Sequence, residues 1–344
     1  MRAFDYASPT KKEQVASLLG SSWGEIEVLA GGTDLLSLMK DEVTSPRRLV
    51  NIKGIQELHG VHLGKDQLSI GALTTLAEVA TDGQLGRAYP VLAEAAGDAA
   101  SPQIRNLATM GGNLCQRPRC WYFRSGHGLM AQGSDGKSLV LEGDNRYHAI
   151  LGNDGPAYFV SPSTVAPVLI AYGASVRLLG PRGTREIALE KFFVIPKSER
   201  EREHNLEPNE IITEIILPGK PAPGLRVGRY EVRQKEAFDW PYATAAVTLS
   251  MVGSTVHSAR VVMGHVAPVP WVSADAARAL QGKAVTQATA GEAAAAAVAS
   301  AKSLGQNSQK ITLARVAVKR AILAAAGSPA NAAVADDRAK GGAA

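Results

Sequence analysis

Apolar positions in the first third of the chain come in short runs broken by glycine, proline and charge, as strands joined by short helices require. A short strand and a helix over 10–19 lead to a strand over 25–29. That strand runs straight into Ala30-Gly31-Gly32-Thr33-Asp34-Leu35-Leu36. Residues 48–52 and 68–72 predict two further strands, and Thr75 with Glu78 three residues on predicts a helix opened by a capping box. A helix over 90–99 precedes Ser101-Pro102, where proline turns the chain. A second glycine pair follows, in Ala108-Thr109-Met110-Gly111-Gly112-Asn113.

Residues 116–156 show little apolar periodicity and read as a long surface insertion. Beyond it the pattern predicts a helix over 167–174 closed by glycine, a strand and turn over 175–183, and a strand over 211–217. Gly219-Lys220-Pro221-Ala222-Pro223-Gly224 denies both helix and sheet pairing and marks the main boundary. Three strands follow, over 225–234, 243–252 and 256–265, and then alanine-rich helices over 273–303, with a break, and 311–326. The fold class is α+β, with one domain over 1–218 and a second, an antiparallel sheet with helices, over 225–328. The small, polar tail 329–344 is expected to be disordered.

At 344 residues and 45% hydrophobic the chain has material for two ordinary cores. A net charge of +5, spread along the chain, argues against a nucleic-acid partner. The first residues lack the apolar stretch of a signal peptide, and the alanine-rich tract near 286–301 is interrupted by Glu292. The expectation is a cytoplasmic protein with no membrane span, periplasmic only if carried out with a partner subunit. Cys115 and Cys120 are the two cysteines, and two thiols cannot hold a four-ligand cluster without histidine.

Each glycine pair lays bare backbone beside a small polar residue, where N–H groups can approach phosphate oxygens without a Cβ in the way. Two such loops in one domain suit a single long ligand held twice. Neither a G-x-G-x-x-G opening a helix nor a G-x-x-x-x-G-K-[ST] is present, which removes the Rossmann and Walker sites.

Leu29 to Leu36, Thr109 to Asn113 and Tyr230-Glu231-Val232-Arg233-Gln234-Lys235 together resemble the FAD-binding subunits of the molybdenum hydroxylases. That family holds the flavin domain of xanthine dehydrogenase, the carbon monoxide dehydrogenase medium subunit and the flavin subunit of bacterial aldehyde oxidoreductases. The resemblance covers residues 1 to about 328. It implies an FAD-binding domain of two subdomains, of the vanillyl-alcohol-oxidase or para-cresol-methylhydroxylase type, followed by a C-terminal sheet and helix bundle.

Carried over by position, the resemblance implies FAD contacts at Leu29, Ala30, Gly31, Gly32, Thr33, Asp34, Leu35 and Leu36, with the pyrophosphate on this first loop. It implies further contacts at Thr109, Met110, Gly111, Gly112 and Asn113, and less directly at Ile212 and Arg233. Ala99 falls where the family has an aromatic or small residue. The family's Ser-Asp motif reads Ser161-Pro162-Ser163-Thr164 here, so a carboxylate acceptor becomes the hydroxyl of Thr164, which accepts a hydrogen bond but supplies no charge.

Some family members carry a [4Fe–4S] cluster on four cysteines in the insertion. Cys120 stands at the first position, but Ser138 and Ala157 stand at later ones, and Cys115 is not at a ligand position. No extra cluster is expected; a partial site of Cys115, Cys120, His127 and His148 is the alternative. Trp121, Tyr122 and Phe123 beside Arg117, Arg119 and Arg124 have the composition of a docking surface, or of a locally packed loop.

The resemblance implies an electron relay. A molybdenum-cofactor large subunit oxidises the substrate, a [2Fe–2S] small subunit passes electrons on, and FAD here delivers them to an external acceptor. No residue of this chain is singled out as a catalytic acid or base. A freestanding FAD oxidoreductase and a cofactor-free scaffold are the competing readings. His265 reads as a buried strand residue, Asp239-Trp240-Pro241-Tyr242 as a turn or a flavin edge, and 198–203 as a solvated charged loop.

Overall fold

The computed structural model describes residues 1–234 and 239–327. The tail 329–344 and Lys235 lie outside the described residues. Three sheets organise the molecule. The first is parallel, with strands β1 (Asp5–Ala7), β2 (Ile26–Leu29) and β3 (Arg48–Asn51) in the order β1-β3-β2. Because β2 lies parallel on β3, its carboxyl end delivers the first glycine motif to the sheet's rim.

The second sheet is antiparallel, built from β4 (Val61–Leu63), β5 (Gln67–Gly71), β6 (Ser175–Gly180), β7 (Gly183–Ala188) and β8 (Ile211–Pro218). Its order is β4-β5-β8-β6-β7, with the apolar β8 in the middle. A strand paired on both sides inside a core favours such a near-continuous apolar run. The predicted capping box forms at Leu76–Thr81: the Thr75 hydroxyl accepts from the Glu78 N–H at 3.1 Å, and Glu78 accepts from the Thr75 N–H at 2.7 Å.

The third sheet holds β9 (Leu225–Val232), β10 (Ala243–Val252), β11 (Thr255–Gly264) and the short β12 (Trp271–Val272), antiparallel in the order β12-β11-β10-β9. Helices Ala274–Leu280, Gln287–Ala297 and Ser308–Ala325 pack with it. The last lies so close to β9 that a Cβ on Gly228 would sit 2.4 Å from the Ala321 carbonyl oxygen. Glycine at that position lets helix and sheet share one dense alanine-rich core.

Beyond the linker 219–224 the third sheet and its helices have a core of their own, and Ala246 and Val262 on the sheet's other face pack into the cluster of Leu76, Leu169 and Ile215. One sequence expectation changes. Residues 116–156 are not a surface insertion: Phe123, Leu129, Met130, Val140, Ile150 and Leu151 are buried. Asn307 and Lys310 donate to the carbonyls of 147–149, stitching this segment to the C-terminal helix. Its periodicity is weak because its apolar residues face several partners rather than one sheet or helix.

Candidate functional site

The two glycine motifs, 80 residues apart, meet at one cavity of about 930 Å³, at the upper end of the ~300–1,000 Å³ range of small-molecule sites. A Cβ on Gly31 would lie 1.8 Å from the Leu107 carbonyl oxygen, just before the second motif. That contact, not only ligand approach, requires glycine. Gly32 sits at φ 75°, a left-handed conformation that glycine reaches without a steric penalty.

Among the described residues, no hydrogen bond engages the N–H groups of Gly31, Gly32, Thr33 or Asp34. The second motif is committed differently. Met110 N–H donates to Thr74 O at 2.9 Å and Gly111 N–H to Ala72 O at 2.8 Å. Gly112 N–H donates to the Thr109 hydroxyl at 3.1 Å, which caps helix Met110–Cys115. The Asn113 side chain is held in turn by the Ser163 hydroxyl, which donates to its Oδ1 at 2.7 Å.

Ala30, Gly31, Gly32, Thr33, Asp34, Leu35, Thr109, Gly111, Gly112, Asn113, Thr164 and Ile212 line this cavity, as does Ala99. Four predicted residues do not. Leu29 is packed with Met39 and Leu49, Met110 is fully buried, and Leu36 is half exposed on its helix. Arg233 pairs with Glu231, Nε to Oε2 at 2.7 Å, and donates to the Asp98 carbonyl at 3.0 Å, behind the wall that Ala99 and Ala100 form. Spacing along the chain cannot separate a lining side chain from its neighbour packed the other way.

Asp34 is not an open ligand contact. Its Oδ1 accepts from Arg124 Nη2 at 2.7 Å and Arg119 Nη1 at 2.9 Å, and its Oδ2 from the Arg117 backbone N–H at 2.8 Å. The arginines read as a docking surface therefore turn inward. Arg117 and Arg124 also lie over the Phe123 ring, and Arg119 stacks 4.6 Å from the Trp240 ring centroid. Trp240 does line the cavity, next to Arg117 and Arg119.

The charged run 198–203 is solvated only in part: Glu199, Arg200 and Glu201 are exposed and Glu203 is buried. Glu199 accepts from the N–H groups of Leu129 and Met130 at 2.7 and 2.6 Å, Arg202 pairs with Glu27 at 2.8 Å, and Glu203 pairs with Arg117 at 2.8 Å. Glu27, Glu199, Arg200, Arg202 and His204 line the cavity, and the sequence reading missed them as site residues. The one visible signal was alternation of opposite charges, which also fits an exposed loop. Burial pushes the His204 imidazole down to about 4, so it is neutral near pH 7.

The cysteine positions do not fit a four-thiolate cluster. Ser138 caps helix Leu139–Glu142, and Ala157 is buried with Leu38, Phe123 and Phe159. Cys120 Sγ lies 3.1 Å from His148 Nε2, and among the described residues no three His, Cys, Asp or Glu side chains gather as a metal site. His265 is buried with φ 62°, and neither ring nitrogen finds a partner among the described residues.

A cavity lined by Gly31 to Asp34, whose N–H groups have no hydrogen-bond partner among the described residues, by Arg117 and Arg119, and by Leu35, Leu76 and Ile212 suits an anionic ligand with an apolar part. A family model for the FAD binding domain in molybdopterin dehydrogenase matches residues 2–220, and one for the CO dehydrogenase flavoprotein C-terminal domain matches 229–325. The chain belongs to this family of FAD-binding oxidoreductase subunits of the molybdenum hydroxylases, and FAD is its cofactor.

The aldehyde oxidoreductase FAD-binding subunit PaoB of Escherichia coli (strain K12) is 34% identical over 79% of this chain and 84% of its own length. The carbon monoxide dehydrogenase medium chain of Hydrogenophaga pseudoflava is 30% identical over 94% of this chain and 96% of its own. A solved structure of carbon monoxide dehydrogenase from that organism, lacking the Mo-pyranopterin moiety of its molybdenum cofactor, superposes with a TM-score of 0.74. It is 30% identical and covers 94% of this chain and 97% of its own. No helix among the described residues is long and apolar enough to cross a membrane.

Proposed function

We propose that this chain is the electron-transfer subunit of a molybdenum hydroxylase complex, with FAD lying along the cavity and its diphosphate on the first glycine loop. The observation that carries this reading is the row of uncommitted N–H groups from Gly31 to Asp34, opening on the cavity that the second motif also walls. The fit is chemical: donors for a diphosphate, apolar wall for the rings, and glycines where side chains would intrude.

When bound, FAD supplies two-electron chemistry that can also proceed one electron at a time. This chain's residues hold and orient it. Gly31 to Asp34 offer N–H donors, Thr109, Gly111, Gly112 and Asn113 form the facing wall, and Thr164 presents a hydroxyl. Ala30, Leu35 and Ile212 line the apolar side, while Leu29, Leu36 and Met110 support the loops from behind. Arg233, tied to Asp98, braces the wall at Ala99. In place of the family's carboxylate, Thr164 supplies a hydroxyl and no negative charge.

The electrons come from a separate [2Fe–2S] small subunit and leave for an external acceptor. A molybdenum-cofactor large subunit carries out the oxidation of an aldehyde, a purine, carbon monoxide or a related substrate. In this reading residues 1–218 form a flavin domain of the para-cresol-methylhydroxylase type, 225–328 form the C-terminal domain, and the complex works in the cytoplasm. The test is a visible spectrum of the purified chain together with mass spectrometry of copurifying partners. Equimolar flavin without turnover of aldehydes or purines, and copurifying molybdenum and iron–sulfur subunits, is the expected result. Turnover by the lone chain makes it a freestanding oxidoreductase, and colourless protein that FAD cannot reconstitute makes it a scaffold.

A further inference from the structure

Asp34 follows the open N–H groups directly, yet a carboxylate there opposes an anionic ligand. Its charge is answered three times over, by the Arg124 and Arg119 guanidiniums and the Arg117 N–H, at 2.7–2.9 Å. Arg124 then locks the segment on itself, donating to Pro118 O at 2.9 Å and Arg117 O at 3.1 Å, and does not line the cavity. Arg117 and Arg119 do line it.

Three guanidiniums stand against two carboxylates, Asp34 and Glu203, which leaves one positive charge at the rim of the first loop. Arg119 is held on three sides: Nη1 on Asp34, Nη2 on Gln116 Oε1 at 3.0 Å, and its plane over Trp240. Its Nε is buried without a partner among the described residues. A guanidinium fixed this way has lost its rotamer freedom before any ligand arrives, so less entropy is lost on binding.

We propose that Asp34 is a positioning residue, holding Arg119 by its guanidinium and Arg117 by its backbone N–H while Glu203 takes the Arg117 guanidinium, and that this arginine cluster supplies the charge that meets the diphosphate of FAD beside the first glycine loop. The proposal rests on the FAD reading above. It assigns the loop 116–124 a recognition role that its sequence composition, read as a docking surface, hides. It also explains why an acidic residue is tolerated at the mouth of a phosphate cradle: Asp34 turns a flexible basic loop into a fixed one.

The test uses the full chain stripped of flavin, with ADP and adenosine as probes that compete with FAD and differ by a diphosphate. In Arg119→Gln and Asp34→Asn, ADP affinity falls about tenfold, as loss of a charge-assisted contact implies, while adenosine affinity stays within about twofold. In Arg119→Gln, which removes a positive charge, the salt dependence of ADP binding also becomes shallower. Arg119→Lys recovers part of the loss. Equal losses for ADP and adenosine overturn the proposal in favour of a structural role, and so does unchanged ADP binding in Arg119→Gln, which leaves the Arg124 lock intact. Wild-type chain that binds no FAD sinks the function reading and this proposal together; bound FAD with an unchanged ADP-to-adenosine ratio in the variants sinks this proposal alone.

Discussion

The two glycine loops look alike in sequence and differ in what their backbones do. At Gly31 to Asp34 the N–H groups are open, and Gly32 holds a left-handed turn. At Met110 to Gly112 the N–H groups are already bonded to Thr74 O, Ala72 O and the Thr109 hydroxyl. The first loop presents donors; the second builds the wall they face. Two N–H groups aimed at carbonyls of 72–74 cannot also meet a phosphate, so similar motifs divide the work of binding and of support.

The largest effect expected from breaking that arrangement is at the point where the loops touch. Gly31→Ala pushes a Cβ into the Leu107 carbonyl and costs at least about 3 kcal/mol, read as a lower denaturation midpoint of the flavin-free chain. A change confined to flavin affinity would show that the loops are not rigidly packed.

Smaller and opposite in character are Gly32→Ala and Thr109→Ala. The first forces a Cβ into φ 75° at about 1–2 kcal/mol and weakens FAD binding, because it disturbs the open N–H row. The second removes a helix cap at about 1 kcal/mol and leaves FAD affinity changed less than Gly32→Ala does. Fluorescence titration alongside chemical denaturation separates the two, and equal losses of affinity erase the division of labour.

The smallest effect is that of pH on FAD affinity near neutrality. His204, at the cavity wall, has its ring pushed down to about 4 by burial, as have His148 and His265. Their folded values lie below the unfolded value of about 6.5, so the unfolded chain takes up protons first and stability is lost as pH falls from about 6.5 toward 4. Between pH 6.5 and 8 His204 stays neutral, and FAD affinity is expected to be flat. A step in affinity near neutral pH would mean that the imidazole is charged when the cofactor binds.

Local signals were legible wherever a few neighbouring residues settle the outcome. The strand entering Ala30-Gly31, the capping box of Thr75 and Glu78, and the order of strands and helices after residue 225 all formed near their expected bounds. Twelve of the sixteen expected site residues line one cavity. The other four do not line it: Met110 is one residue from Thr109 and Gly111, yet its side chain is buried in the core.

A mixed helix-and-sheet fold and the two glycine loops could be read from residue type and short spacing, and FAD followed from the family resemblance that those loops carry. The folded chain settled that the arginines of 117–124 turn inward, that Glu199, Arg200 and Arg202 of the charged run 198–203 line the cavity, and that the segment 116–156 is packed. Those outcomes depend on pairs such as Asp34 with Arg124, 90 residues apart, and Arg202 with Glu27, 175 apart. A charged side chain looks the same in sequence whether it faces water or a buried partner; burial, and the need to pair charge within it, is a property of the folded chain.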